Sequence, residues 1–393
     1  MSEESFSFKQ IAVPAFGPSL LYGISNGAIL PVVALTARDL GASFALAGLI
    51  SALIGVGSLI SNIPSALLTA RYGERRAMAG AAAVSVAGLL LALHAPNVWA
   101  LAIAMLLVGM ASSIFLLARQ TYLVEAVPLH LRARALSTLG GTTRIGVFVG
   151  PFAGAALIHG MGLDGAYWVA VAAMVGAGLI AVLAPDMDGK AATAAPGSTP
   201  LGMRHLVRSH GSVYLTLGVG VMLVSALRAS RQVVIPLWAD HLGLEPTTTS
   251  IIYGLVAAVD MSLFYPAGKV MDLRGRLWVA VPCALLMGVS LMAIPLTTGM
   301  IGFILASLLL GFGNGIGSGI VMTLGADAAP PQSRTQFLGI WRLMSDLGTS
   351  GGPVLLSAIT ALLSLGAASF GIGTLGLVAA AVFWRWLPRR ITA

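Results

Sequence analysis

The feature that most constrains this chain is a succession of long apolar runs separated by short breaks. A helix needs roughly 20 apolar residues to cross the hydrocarbon core of a bilayer, and the 393-residue chain contains twelve runs of about that length. Charged residues make up only 9% of the chain, against about 25% in soluble domains. This composition excludes a soluble domain, a disordered chain, a collagen and a nucleic-acid-binding protein. It predicts a polytopic membrane protein.

The twelve runs are predicted transmembrane helices, called spans 1 to 12. Their approximate bounds are 11–38, 44–69, 77–95, 98–123, 135–159, 165–184, 212–239, 248–271, 278–297, 300–325, 335–362 and 368–387. One polar stretch rich in Ala, Pro and Gly separates two sets of six spans. We therefore predict an all-α fold with one six-helix bundle at 1–184, a cytoplasmic linker at 185–211 and a second six-helix bundle at 212–393.

The distribution of basic residues predicts the orientation of the chain. Loops on one side of the predicted spans hold seventeen of the 22 Lys and Arg residues, and the other side holds only Arg38. The seventeen are Lys9, Arg71, Arg75, Arg76, Arg119, Arg132, Arg134, Lys190, Arg204, Arg208, Lys269, Arg274, Arg276, Arg334, Arg385, Arg389 and Arg390. Because cytoplasmic loops carry the excess of Lys and Arg, we expect a multi-pass protein of the cell membrane with both termini in the cytoplasm.

A gapless offset of 202 residues relates the two halves of the chain. The matched pairs include Gly73 and Gly275, Gly109 and Gly311, Pro128 and Pro330, Gly146 and Gly348, Gly150 and Gly352, and Pro151 and Pro353. Each half has six predicted spans, so both halves have the same orientation in the membrane. The offset therefore predicts a parallel pseudo-two-fold repeat about an axis along the membrane normal.

This organisation, six plus six spans around a cytoplasmic linker, resembles the major facilitator superfamily over essentially the whole chain. A local motif strengthens the resemblance. The loop between spans 8 and 9 carries Gly268, Asp272, Gly275 and Arg276, and it is similar to the superfamily's Gly-x-x-x-Asp-x-x-Gly-Arg loop. Gly275 permits a tight turn and Arg276 can pair with an acid. Such a contact can latch the two halves in one state.

The equivalent loop after span 2 departs from this pattern. It keeps Gly73 and Arg75, but Ala66 and Ala70 occupy the positions of the motif's first Gly and its Asp. Two interpretations stay open for this loop. Either Glu74 substitutes for the missing acid in a second latch, or the segment is a generic basic turn.

A second motif lies in span 5. The residues Gly146, Gly150, Pro151 and Gly154 resemble the motif associated with the drug–proton antiporters of the superfamily. Glycines one helical turn apart allow a neighbouring helix to approach closely, and Pro151 bends a helix. The resemblance implies efflux. The alternative is small-residue packing with no bearing on the direction of transport.

Polar residues inside the spans indicate a cavity. A charge in the membrane costs roughly 2.5–3.5 kcal/mol even on the insertion scale, so such residues are expected to face water or each other. The interiors of spans 3, 6, 9 and 12 carry no charge or amide, and the resemblance places these four helices outside the central cavity. The predicted substrate and cavity residues are Asn26, Arg144, Arg228, Arg231, Gln232, Tyr253, Asn314, Trp341 and Arg342.

Two membrane acids, Asp260 and Asp346, are the predicted proton carriers. Arg228 and Arg231 lie one turn apart and repel each other, so they need an acid or an anionic ligand, and Asp260 is the candidate acid. Arg342 and Asp346 could instead neutralise each other in a same-helix ion pair. Four Arg against two Asp give an excess of +2 inside the spans, which favours anionic or neutral polar substrates.

The expected function is proton-coupled efflux, by antiport and alternating access, of small organic compounds that include anions. The chain has no ATP-binding loop, so a gradient must drive transport. A proton-linked importer of a polar nutrient or organic anion is the alternative, and a non-transporting or lipid-handling membrane protein on the same fold is a lower one. We expect no enzyme, no cofactor, no metal and no nucleic acid, and a monomer whose partners are substrate, protons and lipid. The single Cys283 excludes an internal disulfide.

Overall fold

The computed structural model describes residues 8–127, 131–184, 208–330 and 333–387, and every regular element in these ranges is a helix. The helices are α1 Phe8–Ile29, α2 Val33–Asp39, α3 Phe44–Tyr72, α4 Glu74–Leu93, α5 Val98–Ala126, α6 Arg132–Met161, α7 Asp164–Leu183, α8 Gly211–His241, α9 Pro246–Arg274, α10 Leu277–Ala293, α11 Met300–Ile316, α12 Ile320–Ala328, α13 Arg334–Leu362 and α14 Leu365–Trp386. Most of the predicted linker, with Lys190 and Arg204, lies outside the described residues, as do Pro128, Arg389, Arg390 and the side chains of Lys9 and Arg134.

Two of the predicted spans consist of two helices each. Span 1 is divided into α1 and α2 by the turn at residues 30–32, which contains Pro31. Span 10 is divided into α11 and α12 at residues 317–319. Gly319 has φ +85 in the left-handed region, where only glycine is free of strain. The second break therefore depends on a glycine.

Eleven helical stretches among the described residues are long and apolar enough to cross a membrane. The helix that corresponds to predicted span 11, α13, is 29 residues long but is not one of them. Arg342, Asp346 and the run of Gly, Ser and Thr at 348–352 lower its mean hydropathy. The count of twelve spans therefore stays a prediction.

The chain divides into two compact units. Unit 1 contains residues 1–42, 53–192 and 245–254, and unit 2 contains residues 43–52, 193–244 and 255–393. In unit 1, α1 packs against α6 and α7, and α4 packs against α5 and α7. In unit 2, α8 packs against α13 and α14, and α10 packs against α11 and α14.

Candidate functional site

A buried polar cluster in unit 2 joins three helices. Asp260 on α9 accepts from Arg231 on α8 at 3.2 Å and from Asn314 on α11 at 2.6 Å, both through Oδ2. The side chains of the ion pair are only 13% and 15% exposed. Breaking a buried pair by removing one partner costs about 3–5 kcal/mol, since the remaining charge is left uncompensated. Asp260 therefore holds α8, α9 and α11 together through its charge.

Arg228, one turn before Arg231 on α8, has a different partner. Its Nη2 donates to the carbonyl oxygen of Gly317 at 2.6 Å, at the break between α11 and α12. The two arginines therefore bind different groups: Arg231 binds the Asp260 carboxylate, and Arg228 binds the Gly317 carbonyl. The structure pairs Asp260 with Arg231, and Arg228 keeps a formal charge with no carboxylate bound among the residues described.

The cluster has hydrogen-bonding capacity that the described residues do not use. Three buried atoms have no hydrogen-bond partner there: Arg228 Nε, Arg231 Nη1 and Asn314 Oδ1. Buried polar atoms are nearly always paired, with protein groups or with ordered water. These two donors and one acceptor therefore indicate positions that water or a ligand completes.

The polar stripe on α13 contains the same-helix ion pair that the sequence left as one of two interpretations. Arg342 Nε lies 3.9 Å from Asp346 Oδ2, with the side chains 63% and 30% exposed. Ser345, between them, shares a hydrogen bond of 2.9 Å with Ser225 on α8. An ion pair this exposed contributes little to stability, so Asp346 is held less firmly by its arginine than Asp260 is.

Three other predicted cavity residues, Trp341, Gln232 and Tyr253, lie outside the polar contacts described so far. Trp341 is 3% exposed, donates to the Val321 carbonyl at 2.8 Å and stacks on Phe337 with ring centroids 5.9 Å apart. It therefore packs α12 against α13. Gln232 is half-buried and Tyr253 is buried.

A second polar cluster lies in unit 1 around Arg119, which the sequence analysis wrongly placed in a cytoplasmic loop. Arg119 lies inside α5 and is only 9% exposed. Its Nη1 donates to Thr143 Oγ1 on α6 at 2.9 Å, and its guanidinium carbon lies 5.6 Å from the centroid of the Tyr22 ring. Tyr22 stacks on Phe115 with centroids 5.4 Å apart, and Asn26 Nδ2 donates to its hydroxyl at 3.4 Å.

The wrong placement of Arg119 has a simple cause. Arg119 lies inside predicted span 4, four residues before its end, and it was counted with the basic residues of the adjoining cytoplasmic loop, although the helix α5 includes it and continues to Ala126. The available signal was helical spacing, because Ser112, Phe115 and Arg119 follow one another at intervals of three and four residues. Arg144, which the sequence does predict as a cavity residue, is half-buried on α6.

The loop motif of the second half forms the contacts that its residues predict. Gly275 has φ +96, which a turn of this kind requires. Arg276 lies 3.5 Å from Asp272 and 2.9 Å from Asp327, and it also donates to the Met271 carbonyl at 2.8 Å. The arginine therefore joins the end of α9 to the end of α12. Gly268, the first residue of the motif, is half-buried on α9.

The equivalent loop of the first half is a turn with a different contact. Gly73 has φ +79, as Gly275 does. Arg75 at the start of α4 donates to the Val182 carbonyl near the end of α7. This contact is made with a backbone group, and the interpretation of a second acidic latch stays a prediction.

The residues of the span 5 motif, Gly146, Gly150, Pro151 and Gly154, all lie on the single helix α6. A Cβ at Gly146 would overlap the Leu20 carbonyl of α1, and a Cβ at Gly150 would overlap the Ile24 carbonyl. At Gly154 the nearest atoms lie at ordinary contact distances of 3.6 Å or more. The absence of a side chain at Gly146 and Gly150 therefore allows α6 to pack closely against α1.

The same approach recurs in unit 2 at the offset of 202 residues. A Cβ at Gly348 on α13 would overlap the Met222 carbonyl of α8, and a Cβ at Gly352 would lie 2.5 Å from the Ala226 carbonyl oxygen. Each contact partner is displaced by the same 202 residues as the glycine that it meets. The repeat thus extends from single residues to the contacts that they make.

Comparison with known proteins gives the family. The family model described as Major Facilitator Superfamily matches residues 19–353 and 217–392. Among curated relatives, the Multidrug resistance protein MdtG of Enterobacter lignolyticus (strain SCF1) is 27% identical over 169 residues, or 42% of this chain and 40% of that protein. A relative of the same name from Salmonella newport (strain SL254) is 27% identical over 164 residues, 41% of each chain. The matched region thus spans about two fifths of the curated relatives' length.

Solved structures of other transporters share the fold. A D-xylose–proton symporter superposes with a TM-score of 0.76 at 16% identity, over 97% of this chain and 98% of that one. The nucleoside transporter NupG, solved as a point mutant, superposes with a TM-score of 0.79 at 11% identity, over 96% and 100% of the two chains. At these identities the likeness concerns the fold. The protein is an integral membrane protein, and it belongs to the Major Facilitator Superfamily.

Proposed function

We propose that this protein is a secondary active transporter that exports small organic compounds in exchange for protons. The observation that carries the proposal is the buried ion pair between Arg231 and Asp260, with Asn314 on the same carboxylate oxygen. Relatives named multidrug resistance proteins and the glycine motif of α6 support export. Alternating access between two six-helix bundles, related by the 202-residue repeat and with cytoplasmic termini, is part of the proposal.

Proton coupling follows from what Asp260 does in each protonation state. As a carboxylate it accepts from Arg231 and Asn314, and so it ties α9 to α8 and α11. As a neutral acid it no longer offsets the charge of Arg231, and the ion pair is lost. The proton thus selects between two packings of these helices, which is the kind of two-state element that coupling needs. Asp346, more exposed, is the second candidate.

The charge balance favours anions as substrates. Arg231 and Arg342 have carboxylate partners. Arg228 has a backbone carbonyl, and Arg119 has a hydroxyl and an aromatic ring. Two largely buried guanidinium groups without a carboxylate among the described residues leave positive potential that attracts anionic compounds.

The test is transport by purified protein in liposomes with an imposed pH gradient. Organic carboxylates and quaternary ammonium compounds are screened in parallel for movement that requires the gradient. We expect gradient-driven movement of carboxylates by the wild type and none by Asp260→Asn. The matched control is Asp164→Asn, which removes an exposed acid at the start of α7 and should transport normally. Equal gradient-driven transport by the Asp260 variant would contradict the assignment.

A further inference from the structure

The arginine at position 119 is the most unusual charged group of unit 1. Arginine inside a membrane helix normally faces an acid or water, but Arg119 is 9% exposed. Its contacts are one hydroxyl, Thr143, and the face of one aromatic ring, Tyr22. Within the described part of the chain it has no ion pair with a carboxylate. A buried cation of this kind is retained at a cost in stability, which indicates a role beyond folding.

The unused part of the guanidinium is its side-on edge. Nη1 is taken by Thr143, and Nε is buried with no hydrogen-bond partner in the described residues. Nε and Nη2 together form the planar fork that binds both oxygens of a carboxylate. Neither Nε nor Nη2 has a hydrogen-bond partner among the described residues, and Nε is buried.

The surroundings of Arg119 suit a small organic acid. Asn26 and Thr143 are half-buried, so the cluster reaches the protein surface on their side. Asn26 offers an amide that can donate to an anion, since its present contact with the Tyr22 hydroxyl is long at 3.4 Å. The stacked rings of Tyr22 and Phe115 give an apolar wall. A charged fork, an amide and an apolar wall match a carboxylate on an apolar body.

We infer that Arg119 is the carboxylate-binding residue of a substrate subsite in unit 1, formed with Asn26, Thr143 and Tyr22. This inference rests on the proposed transport function and names the substrate class, an organic monocarboxylate. It also separates two tasks within the chain. The carboxylate of the substrate binds in unit 1, while the proton binds at Asp260 in unit 2.

The experiment measures equilibrium binding to detergent-solubilised full-length protein without a pH gradient. The probes are benzoate and hexanoate, and their neutral isosteres are benzamide and hexanamide. We expect saturable binding of the carboxylates and none of the amides. Arg119→Gln should weaken carboxylate binding about 10- to 100-fold, because charge-assisted hydrogen bonds contribute about that factor.

Two further variants keep the test decisive. Arg71→Gln removes an exposed guanidinium from the end of α3 and should bind as the wild type does. Arg119→Lys keeps the charge but lacks the planar fork, so it should bind about tenfold more weakly and serves if the Gln variant does not fold. The inference is overturned if neither carboxylate binds the wild type, if the amides bind equally well, or if Arg119→Gln binds normally. Failure of proton coupling in liposomes would instead count against the proposed function alone.

Discussion

A methyl group added at Gly348 on α13 should destabilise unit 2. An ideal Cβ there overlaps the Met222 carbonyl oxygen and lies 2.9 Å from its carbonyl carbon and 3.0 Å from Ser225 Cβ. Two of these three atoms are helix backbone, which cannot rotate away, so Gly348→Ala must push α13 from α8. Overpacking of this kind costs about 1–3 kcal/mol.

The chain offers a matched control three residues away. Gly351 lies on the same helix, is exposed and has nothing within 4 Å of its ideal Cβ. Ala is favoured over Gly in a helix by about 0.8–1.0 kcal/mol, so Gly351→Ala should stabilise slightly. Gly348→Ala gains the same helix propensity, so the two variants should differ by the overpacking cost alone, about 1–3 kcal/mol.

The assay is thermal unfolding in detergent, followed by a dye that reacts with thiols. Cys283 is the single cysteine of the chain, is 0% exposed and lies in unit 2 with Gly348, so labelling reports the unfolding of that unit. Each kcal/mol corresponds to about 2–4 °C for a unit of this size. Equal midpoints for Gly348→Ala and Gly351→Ala would refute the close packing of α8 and α13.

Two other variants test the loop motif and the helix break. Arg276→Gln removes the contacts to Asp272 and Asp327. We expect it to lower the free energy of unfolding by about 1 kcal/mol or less, because the pairs are partly exposed, and to slow transport. An unchanged transport rate would contradict a latch. Gly319→Ala places a side chain in the left-handed region and should cost about 1–2 kcal/mol, whereas Gly339→Ala, in open space on α13, should cost nothing. Equal midpoints for these two glycine variants in the thiol assay would show that the break does not need the left-handed residue.

The sequence predicts the helices well because the bilayer imposes a length and a composition on each span. It also predicts a close helix approach at the glycines, and the 202-residue offset that pairs Gly146 with Gly348 holds for the carbonyl partners that the structure gives them. The apolar spans are local and the offset is periodic, so both can be recognised in a single sequence. The helix α13 matches predicted span 11 in its bounds, but its polar half leaves it outside the eleven stretches that are apolar enough to cross a membrane.

The partners of the membrane charges could not be predicted in the same way. Spacing along α8 shows that Arg228 and Arg231 are neighbours, but it does not show which of them meets Asp260 on another helix. The break at 317–319 supplies the Gly317 carbonyl to Arg228. Glycine occupies every second position from 311 to 319, so the sequence does not show at which of them the helix breaks. For both arginines the missing information was a distance between helices. Arg119 was missed for another reason, because a basic residue near the end of predicted span 4 was counted with the cytoplasmic loop that follows it.

The measurement that tests proton-coupled export most directly is proton movement driven by substrate alone. Liposomes with a pH-sensitive dye inside are loaded with a transported carboxylate and diluted into medium without it, at equal pH on both sides. Exchange predicts that protons enter as the carboxylate leaves, so the interior acidifies with the wild type and not with Asp260→Asn. Interior alkalinisation, which cotransport in one direction would give, or the same acidification by both proteins, would contradict the account.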